Sequence, residues 1–384
     1  MARDCAELIL LVGSNPLPNY LSARTLGART ALLVYSDATE RPQRQLATAL
    51  AEAGVRSLPR WVGDPHGAEA VRAVVASALR EYPDAYLDYT GGTKVMAAHA
   101  RLAFAEAGGK PERASYLVED TGQLRFDAGP AADVAPIGLH IRQLAALHGV
   151  TVGGKGVKDQ PPSGGPTVGH AELLAWKVLG RPELAGELYQ AVQAYKQETA
   201  QAKVEGRDAE PLDLTAVIDP FPCGQLPQRV PEVGWNAKQT RRWLELLQGE
   251  WLEIWTQQQV RKTVPDWPAW YDVNGMLASG RPYQVDVATI GRFRSYTASC
   301  TTEREVALAK LKAFEVSLRA RQMGGDLARW ALVCLLDSRG VDQVEGDVAA
   351  AWGSPALPEV FGLEHLREWR DGQLGTLRNW LQEP

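Results

Sequence analysis

Apolar residues in the first 130 positions fall into short blocks separated by helix-length segments of mixed polarity. Residues 7–12 (ELILLV) and 30–35 (TALLVY) are continuous apolar runs of strand length, the pattern of strands buried on both faces. Further strands are predicted near 55–61 and 85–89, with helices over 40–53, 67–81 and 94–107 between and after them. The stretch Ser36-Asp37-Ala38-Thr39 caps the first of these helices. Strands alternating with helices over short connections imply a parallel sheet covered on both sides, and a strand pair within 114–126 closes one edge. The fold class expected for residues 1–150 is therefore α/β, in a Rossmann-like domain.

The pattern then changes. Residues 153–169 (GGKGVKDQPPSGGPTVG) read as an exposed linker or flexible loop, 170–205 as helical, and 206–234, with five prolines, as mostly loop. From Asn236 a long amphipathic helix is expected, with Trp243, Leu247, Trp251 and Trp255 recurring at four-residue spacing. After a Trp/Pro-rich turn come strand-like stretches at 281–290 and 293–300, a helix over about 303–322, and an apolar strand at 328–336. This order makes a second α/β domain over 235–384, joined to the first by a linker and helical connecting region over 151–234.

Composition narrows the function classes. The 384 residues are 45% hydrophobic and 23% charged, which is globular rather than disordered. No apolar run reaches the length of a membrane span, and the apolar stretch at the start is too short for a signal peptide. Cys5, Cys223, Cys300 and Cys334 lie far apart without a CxxC pair, which suits a reducing cytoplasm and argues against zinc. The net charge of −5 means that a nucleic-acid partner would need a local basic patch. Residues 281–330 supply one, with nine Lys/Arg against five Asp/Glu, and Arg292 and Arg294 are candidates for phosphate contacts.

Candidate binding chemistry sits after the strands of the first domain. The dinucleotide fingerprint GxGxxG is missing after the first strand, where the loop reads GSNPLP, which argues against a nicotinamide enzyme. Ligands in such sheets still bind beyond the carboxyl ends of the strands, and three ends carry small polar residues: Ser14-Asn15, Ser36, and Thr90-Gly91-Gly92-Thr93-Lys94. Two readings of the last stretch stand side by side. Its glycines admit an anion close to the backbone at a helix start, with Thr90, Thr93 and Lys94 as donors; or it is a tight strand-to-helix turn capped by threonine.

In the second domain, metal-dependent phosphodiester cleavage needs carboxylates for a hard divalent cation and a lysine near the phosphate or attacking water. Glu253 on the first helix and Asp286 in Tyr283-Gln-Val-Asp-Val are candidates for both catalysis and metal binding. Where an acid–x–lysine pair is expected on the next strand, the chain has Ser299-Cys300-Thr301-Thr302. Lys310 and Lys312 follow one helix later, roughly 200° apart around it, so only one can face the site, and the stripe Leu308, Lys312, Glu315, Arg319 favours Lys312. The Ser299 hydroxyl and the Cys300 carbonyl would form a polar wall. Equally, Asp286 could be a solvated acid and the lysines a surface feature, with Glu315 pairing Arg319.

The stretches LVGSNPLP and DYTGGTKVMA resemble the CARF domain, a Rossmann-like sensor of cyclic oligoadenylates in type III CRISPR defence. With GEWLE ending at Glu253, YQVD ending at Asp286 and FEVSLRARQMGG after Ala313, nearly the whole chain resembles CRISPR ancillary nucleases of the Card1/Can2 type, which join a CARF domain to a PD-(D/E)xK, restriction-endonuclease-like domain. The resemblance implies a homodimer cradling one cyclic tetra-adenylate, with Ser14, Asn15, Thr90, Gly91, Gly92, Thr93 and Lys94 lining the pocket. It implies an allosterically activated endonuclease using Mn²⁺ or Mg²⁺ on DNA or RNA. The departure at Ser299–Thr301 leaves either a lysine moved to the next helix or a degenerate nuclease domain, in a sensor that binds nucleic acid or a partner without cutting. A ring nuclease that degrades its activator in the first domain is a separate alternative.

Overall fold

The computed structural model describes residues 5–154, 156–215, 217, 226–352 and 358–382; Lys155 of the expected linker and Cys223 lie outside them. In the first domain, strands β1 (Glu7–Leu11), β2 (Thr30–Tyr35), β3 (Arg56–Trp61), β4 (Tyr86–Asp88) and β5 (Ala114–Val118) pair in parallel. Antiparallel β6 (Gln123–Phe126) and β7 (Ala132–Asp133) extend the edge, giving the order β3-β2-β1-β4-β5-β6-β7. Helices α1 (Leu17–Leu26) and α2 (Glu40–Glu52) pack with Leu8, Leu10 and Leu33 on one face. On the other, α3 (Ala68–Glu81) and α4 (Lys94–Glu106) cover Ile9, Leu11, Leu32 and Val34. Successive strand residues point to opposite faces, so a continuous apolar run is what two covered faces require.

From the first domain, α5 (Ile141–Leu147) leads into β8 (Val150–Thr151), which pairs with the second sheet rather than the first. Helices α6 (Val168–Gly180) and α7 (Glu183–Glu205) follow, with the break at Arg181-Pro182. The short strands β9 (Leu212–Asp213) and β10 (Arg229–Val230) pair with each other.

The long helix expected from Asn236 is interrupted. Helix α8 (Ala237–Glu245) passes through a π-helical turn at Leu246–Glu250 into α9 (Trp251–Thr263), and Gly249 at φ 141° makes the kink. The apolar stripe still holds, with Trp243, Leu247, Trp251 and Trp255 all buried. Strands β11 (Ala269–Leu277), β12 (Pro282–Gly291) and β13 (Arg294–Cys300) form an antiparallel meander. Beyond them, α10 (Val306–Gly324), β14 (Arg329–Val333), α11 (Ser338–Trp352), β15 (Glu359–Phe361), α12 (Leu363–Arg370) and α13 (Gly375–Gln382) complete the domain. The sheet order is β15-β14-β13-β12-β11-β8, with β13, β14 and β15 parallel.

Two expectations are corrected here. Strand β11 occupies the segment read as a Trp/Pro-rich turn, because Asp272, Asn274 and Gly275 interrupt its apolar alternation. Arg294, read as a phosphate contact, is 3% exposed. Its Nη2 donates to the carbonyls of Glu119 at 3.0 Å and Asp120 at 3.1 Å, tying the second domain to the β5–β6 turn of the first. One apolar cluster spans the junction, joining Leu10 and Leu124 to Val285, Ile290 and Phe293.

Candidate functional site

The sheet order of the first domain reverses beside β1, whose neighbours β2 and β4 lie on either side, and the loops leaving β1 and β4 meet there. A Cβ on Gly91 would stand 2.1 Å from the Leu11 carbonyl oxygen, and Gly92 sits at φ +77°. The glycines are thus required by the close approach of the β4–α4 turn to the end of β1. The Thr93 hydroxyl accepts from the Met96 amide at 3.1 Å, capping α4, and donates to the Pro65 carbonyl at 3.0 Å. The Thr90 hydroxyl accepts from the Leu117 amide at 2.7 Å. Both threonines serve the frame of the turn, which gives the capped-turn reading its physical basis.

What faces outward from that frame is Ser14 and Lys94, both exposed, with no ion pair at Lys94 among the described residues. Ser36 is buried at the end of β2, where its amide donates to the Thr39 hydroxyl at 3.0 Å. Beneath the turn, Asp88 is fully buried and bonded by Ser115 and the Thr90 amide; burial lifts its pKa to about 6 against those bonds. The sequence reading did not single it out.

Ser14 and Asn15 also line a cavity of about 310 Å³ between the domains, with Arg41, His148, Arg321 and Asp326. Asn15 Oδ1 lies 3.2 Å from the Leu17 amide and 3.2 Å from His148 Nε2, while its Nδ2 is buried without a partner among the described residues. Burial lowers the His148 pKa to about 4, so its ring is neutral at neutral pH.

The second domain holds a larger cleft of about 890 Å³, walled by α7, the π turn, α9, the middle of β11 and the end of β13. Glu253 opens into it from the first turn of α9. Burial, then the charges of Asp286, Asp272 and Glu250, hold the Glu253 carboxyl well above its ordinary range, with Lys158 opposing. Asp286, on β12, accepts from the Ser299 hydroxyl at 2.9 Å and from the Cys300 amide at 2.7 Å through Oδ2. Burial raises its pKa against those two bonds and the charge of Lys312. The expected acid pair thus lies within mutual electrostatic reach, and Ser299 serves it by holding Asp286. At Cys300 it is the amide that meets the acid, where the sequence reading placed the carbonyl.

The lysines separate. Lys312 acts electrostatically on Asp286 but is largely exposed and bonded to Glu315 at 3.0 Å, whereas Lys310 turns to Asp347 on α11 at 2.8 Å. Glu315 therefore pairs with Lys312 more closely than with Arg319, which is 3.8 Å away.

Three residues of the cleft went unassigned in the sequence: Lys158, Glu250 and Asp272. Lys158 Nζ bridges Asp272 Oδ2 at 2.6 Å and Glu250 Oε1 at 2.9 Å. The ladder registers on either side place Asp272 opposite Asp286, a pairing of like charges that costs stability in an ordinary sheet. That repetition of an acid on adjacent strands was the available signal. Among the described residues, no three His, Cys, Asp or Glu side chains are arranged to hold a metal ion. The carboxylate oxygens of Glu253 and Asp286 do suit a hard cation such as Mg²⁺, which one or two carboxylates hold together with water and phosphate.

Over its whole length the chain superposes on Can2 from Sulfobacillus thermosulfidooxidans, solved in complex with cyclic tetra-adenylate. The TM-score is 0.71 at 14% identity, covering 98% of this chain and 99% of that one. The chain has the fold of Can2. Protein VC1899 from Vibrio cholerae matches with a TM-score of 0.70 at 12% identity, covering 99% of both chains. A type III CRISPR defence DNA nuclease activated by cyclic oligoadenylate matches at 0.55 and 20% identity, over 88% of this chain and 46% of that one. No family model and no curated protein sequence matches the chain. At these identities the likeness to Can2 is one of fold. No described helix is long and apolar enough to cross a membrane.

Proposed function

We propose that the chain is an effector of type III CRISPR defence that senses cyclic tetra-adenylate with its first domain and hydrolyses nucleic-acid phosphodiesters with its second. The observation that carries this reading is that Glu253, on the wall of the cleft, feels the charge of the buried Asp286 behind it, in a chain with the fold of Can2. Two chains would pair so that the exposed Ser14 and Lys94 of each face one cyclic ligand, whose two-fold symmetry suits a symmetric site. Helix α4 begins at that edge, and its N-terminus favours the phosphates. In the second domain, Glu253 and Asp286 would hold Mn²⁺ or Mg²⁺, which supplies charge stabilisation to phosphoryl transfer when bound. Ser299 and the Cys300 amide keep Asp286 oriented, and the charge of Lys312 favours its ionised form.

A second reading has its own support. The strand that follows Asp286 carries Ser299-Cys300-Thr301 in place of an acid–x–lysine pair, which suits a sensor that binds nucleic acid without cutting it. The experiment that separates the two is cleavage of supercoiled plasmid and single-stranded RNA with Mn²⁺, with and without cyclic tetra-adenylate. Cutting that depends on the activator is the expected result. Binding of the activator without cutting of either substrate would leave the sensor reading.

A further inference from the structure

The cleft holds a lysine that comes from outside the strands and helices of its own domain. Lys158 lies in the segment between β8 and α6, and that segment is docked on β11 by its backbone. The Lys158 amide donates to the Tyr271 carbonyl at 3.2 Å, and the Tyr271 amide donates back at 2.8 Å. The Asn274 amide donates to the Gly156 carbonyl at 2.6 Å. A Cβ on Gly156 would stand 2.2 Å from the Asn274 carbonyl oxygen, so the approach requires glycine. The segment read as an exposed linker is, at this point, an added edge of the second sheet.

Of the two acids that receive Lys158, Asp272 stands on unusual backbone, and Glu250, itself helical, comes directly after the kinked Gly249. Glu250 ends the π turn that follows from Gly249 at φ 141°, and Asp272 has φ 47°, one of two non-glycine residues with positive φ among the described residues. An exposed ion pair contributes little and demands no such geometry. Here the lysine is only 26% exposed and its partners 17% and 20%. Distortion on two neighbouring elements of one cleft, the π turn and β11, points to a functional constraint. Lys312 and Lys310 are alternatives with weaker placement, since each is spent on a surface partner.

We infer that Lys158 supplies the cation that the strand Ser299–Thr301 lacks. This rests on the nuclease reading of the cleft. Glu250, Glu253, Asp272 and Asp286 crowd one region with four carboxylates, and Lys158 engages two of them. It holds Glu250 and Asp272 aside, leaving Glu253 and Asp286 to the metal, and brings positive charge to the wall that a phosphate would meet. It is a positioning residue, acting through the two acids it bridges.

The test is a pair of measurements on the full-length protein with Lys158→Ala, Lys158→Arg and Lys158→Met. Removing the charge should slow activator-dependent plasmid cleavage by about 10- to 100-fold, the scale of losing a residue that orients the groups around a metal site. It should at the same time tighten Mn²⁺ binding, read by calorimetry without nucleic acid, by about tenfold, because a cation is removed and two carboxylates are released. Lys158→Arg, which keeps the charge, should stay within a few-fold of wild type in Mn²⁺ affinity. Opposite signs in the two readouts are not produced by simple loss of fold, and Lys158→Met keeps the stem if alanine unfolds the loop. Wild-type cleavage in the charge-removed variants overturns the inference. If wild type cuts nothing, the nuclease reading falls and the inference falls with it; if wild type cuts, unchanged Mn²⁺ affinity in Lys158→Ala and Lys158→Met overturns the inference alone and leaves the nuclease reading standing.

Discussion

Ser299 donates its hydroxyl hydrogen bond to Asp286 Oδ2 at 2.9 Å, from the strand where a nuclease of this kind would carry an acid. A small polar residue thus secures the acid of β12, together with the Cys300 amide. Asp286→Asn should abolish metal-dependent cleavage and leave binding of cyclic tetra-adenylate unchanged. Ser299→Ala removes one of two donors to a charged group and should slow cleavage about tenfold or more, with the activator again bound normally. Gel assays paired with calorimetry read both; full activity in Asp286→Asn would remove that residue from the site.

Glu253 makes stability depend on pH in a definite direction. Its folded carboxyl keeps a proton well above the ordinary value of 4.5, through burial and the charges of Asp286, Asp272 and Glu250. The contribution of this group to stability is therefore complete below about pH 4.5 and is lost as pH rises through the elevated folded value. Glu253→Gln should raise Tm at pH 8 by about 2–4 °C, the shift given by roughly 1 kcal/mol in a domain of this class. That gain should shrink toward pH 4.5. Thermal melts across this range, in a metal-free buffer, check it; a gain that grows on acidification would contradict the charge crowding.

These two acids also show what was legible in the chain and what was not. Residues 7–12 and 30–35 declared themselves as strands because burial on both faces demands a continuous apolar run, and the helices over 40–53, 67–81 and 94–107 followed from periodicity. Glu253 and Asp286 stood out as acids on a helix and a strand of apolar neighbours. Asp272 did not, since it interrupts its own strand at φ 47° and left that strand reading as a turn. Lys158 was hidden more deeply: its segment docks by backbone hydrogen bonds and by the absence of a side chain at Gly156, neither of which leaves a hydrophobic pattern. Arg294 belonged to a basic stretch, but nothing local in the sequence shows that two carbonyls of a distant turn await it.

At the first site the turn separates two neighbours that the sequence grouped together. Thr93 caps α4, and Lys94 is exposed on its first turn. Thr93→Ala should cost about 1 kcal/mol of stability, as loss of an N-cap does. Lys94→Ala should leave Tm unchanged and weaken cyclic tetra-adenylate binding about tenfold, the scale of one charge-assisted contact to phosphate. Differential scanning calorimetry and isothermal titration on the two variants separate the roles. Equal affinity of Lys94→Ala and wild type for the activator would remove that lysine from the pocket.

Arg294 provides a contrast between two kinds of arginine in one basic region. A phosphate-binding arginine, when removed, lowers the salt dependence of nucleic-acid binding by about one counterion. Arg294 is instead buried, and its guanidinium meets the carbonyls of Glu119 and Asp120 across the domain junction, stacked over Phe293 at 4.3 Å. Arg294→Ala would leave two carbonyl acceptors without their charged donor and remove the packing of the stem. The expected loss is about 2–3 kcal/mol of stability, with no change in the slope of log affinity against log salt for DNA or RNA. Denaturant unfolding and a salt titration on the same variant give both numbers. A reduced slope with unchanged stability would return Arg294 to the nucleic-acid surface and take it away from the junction.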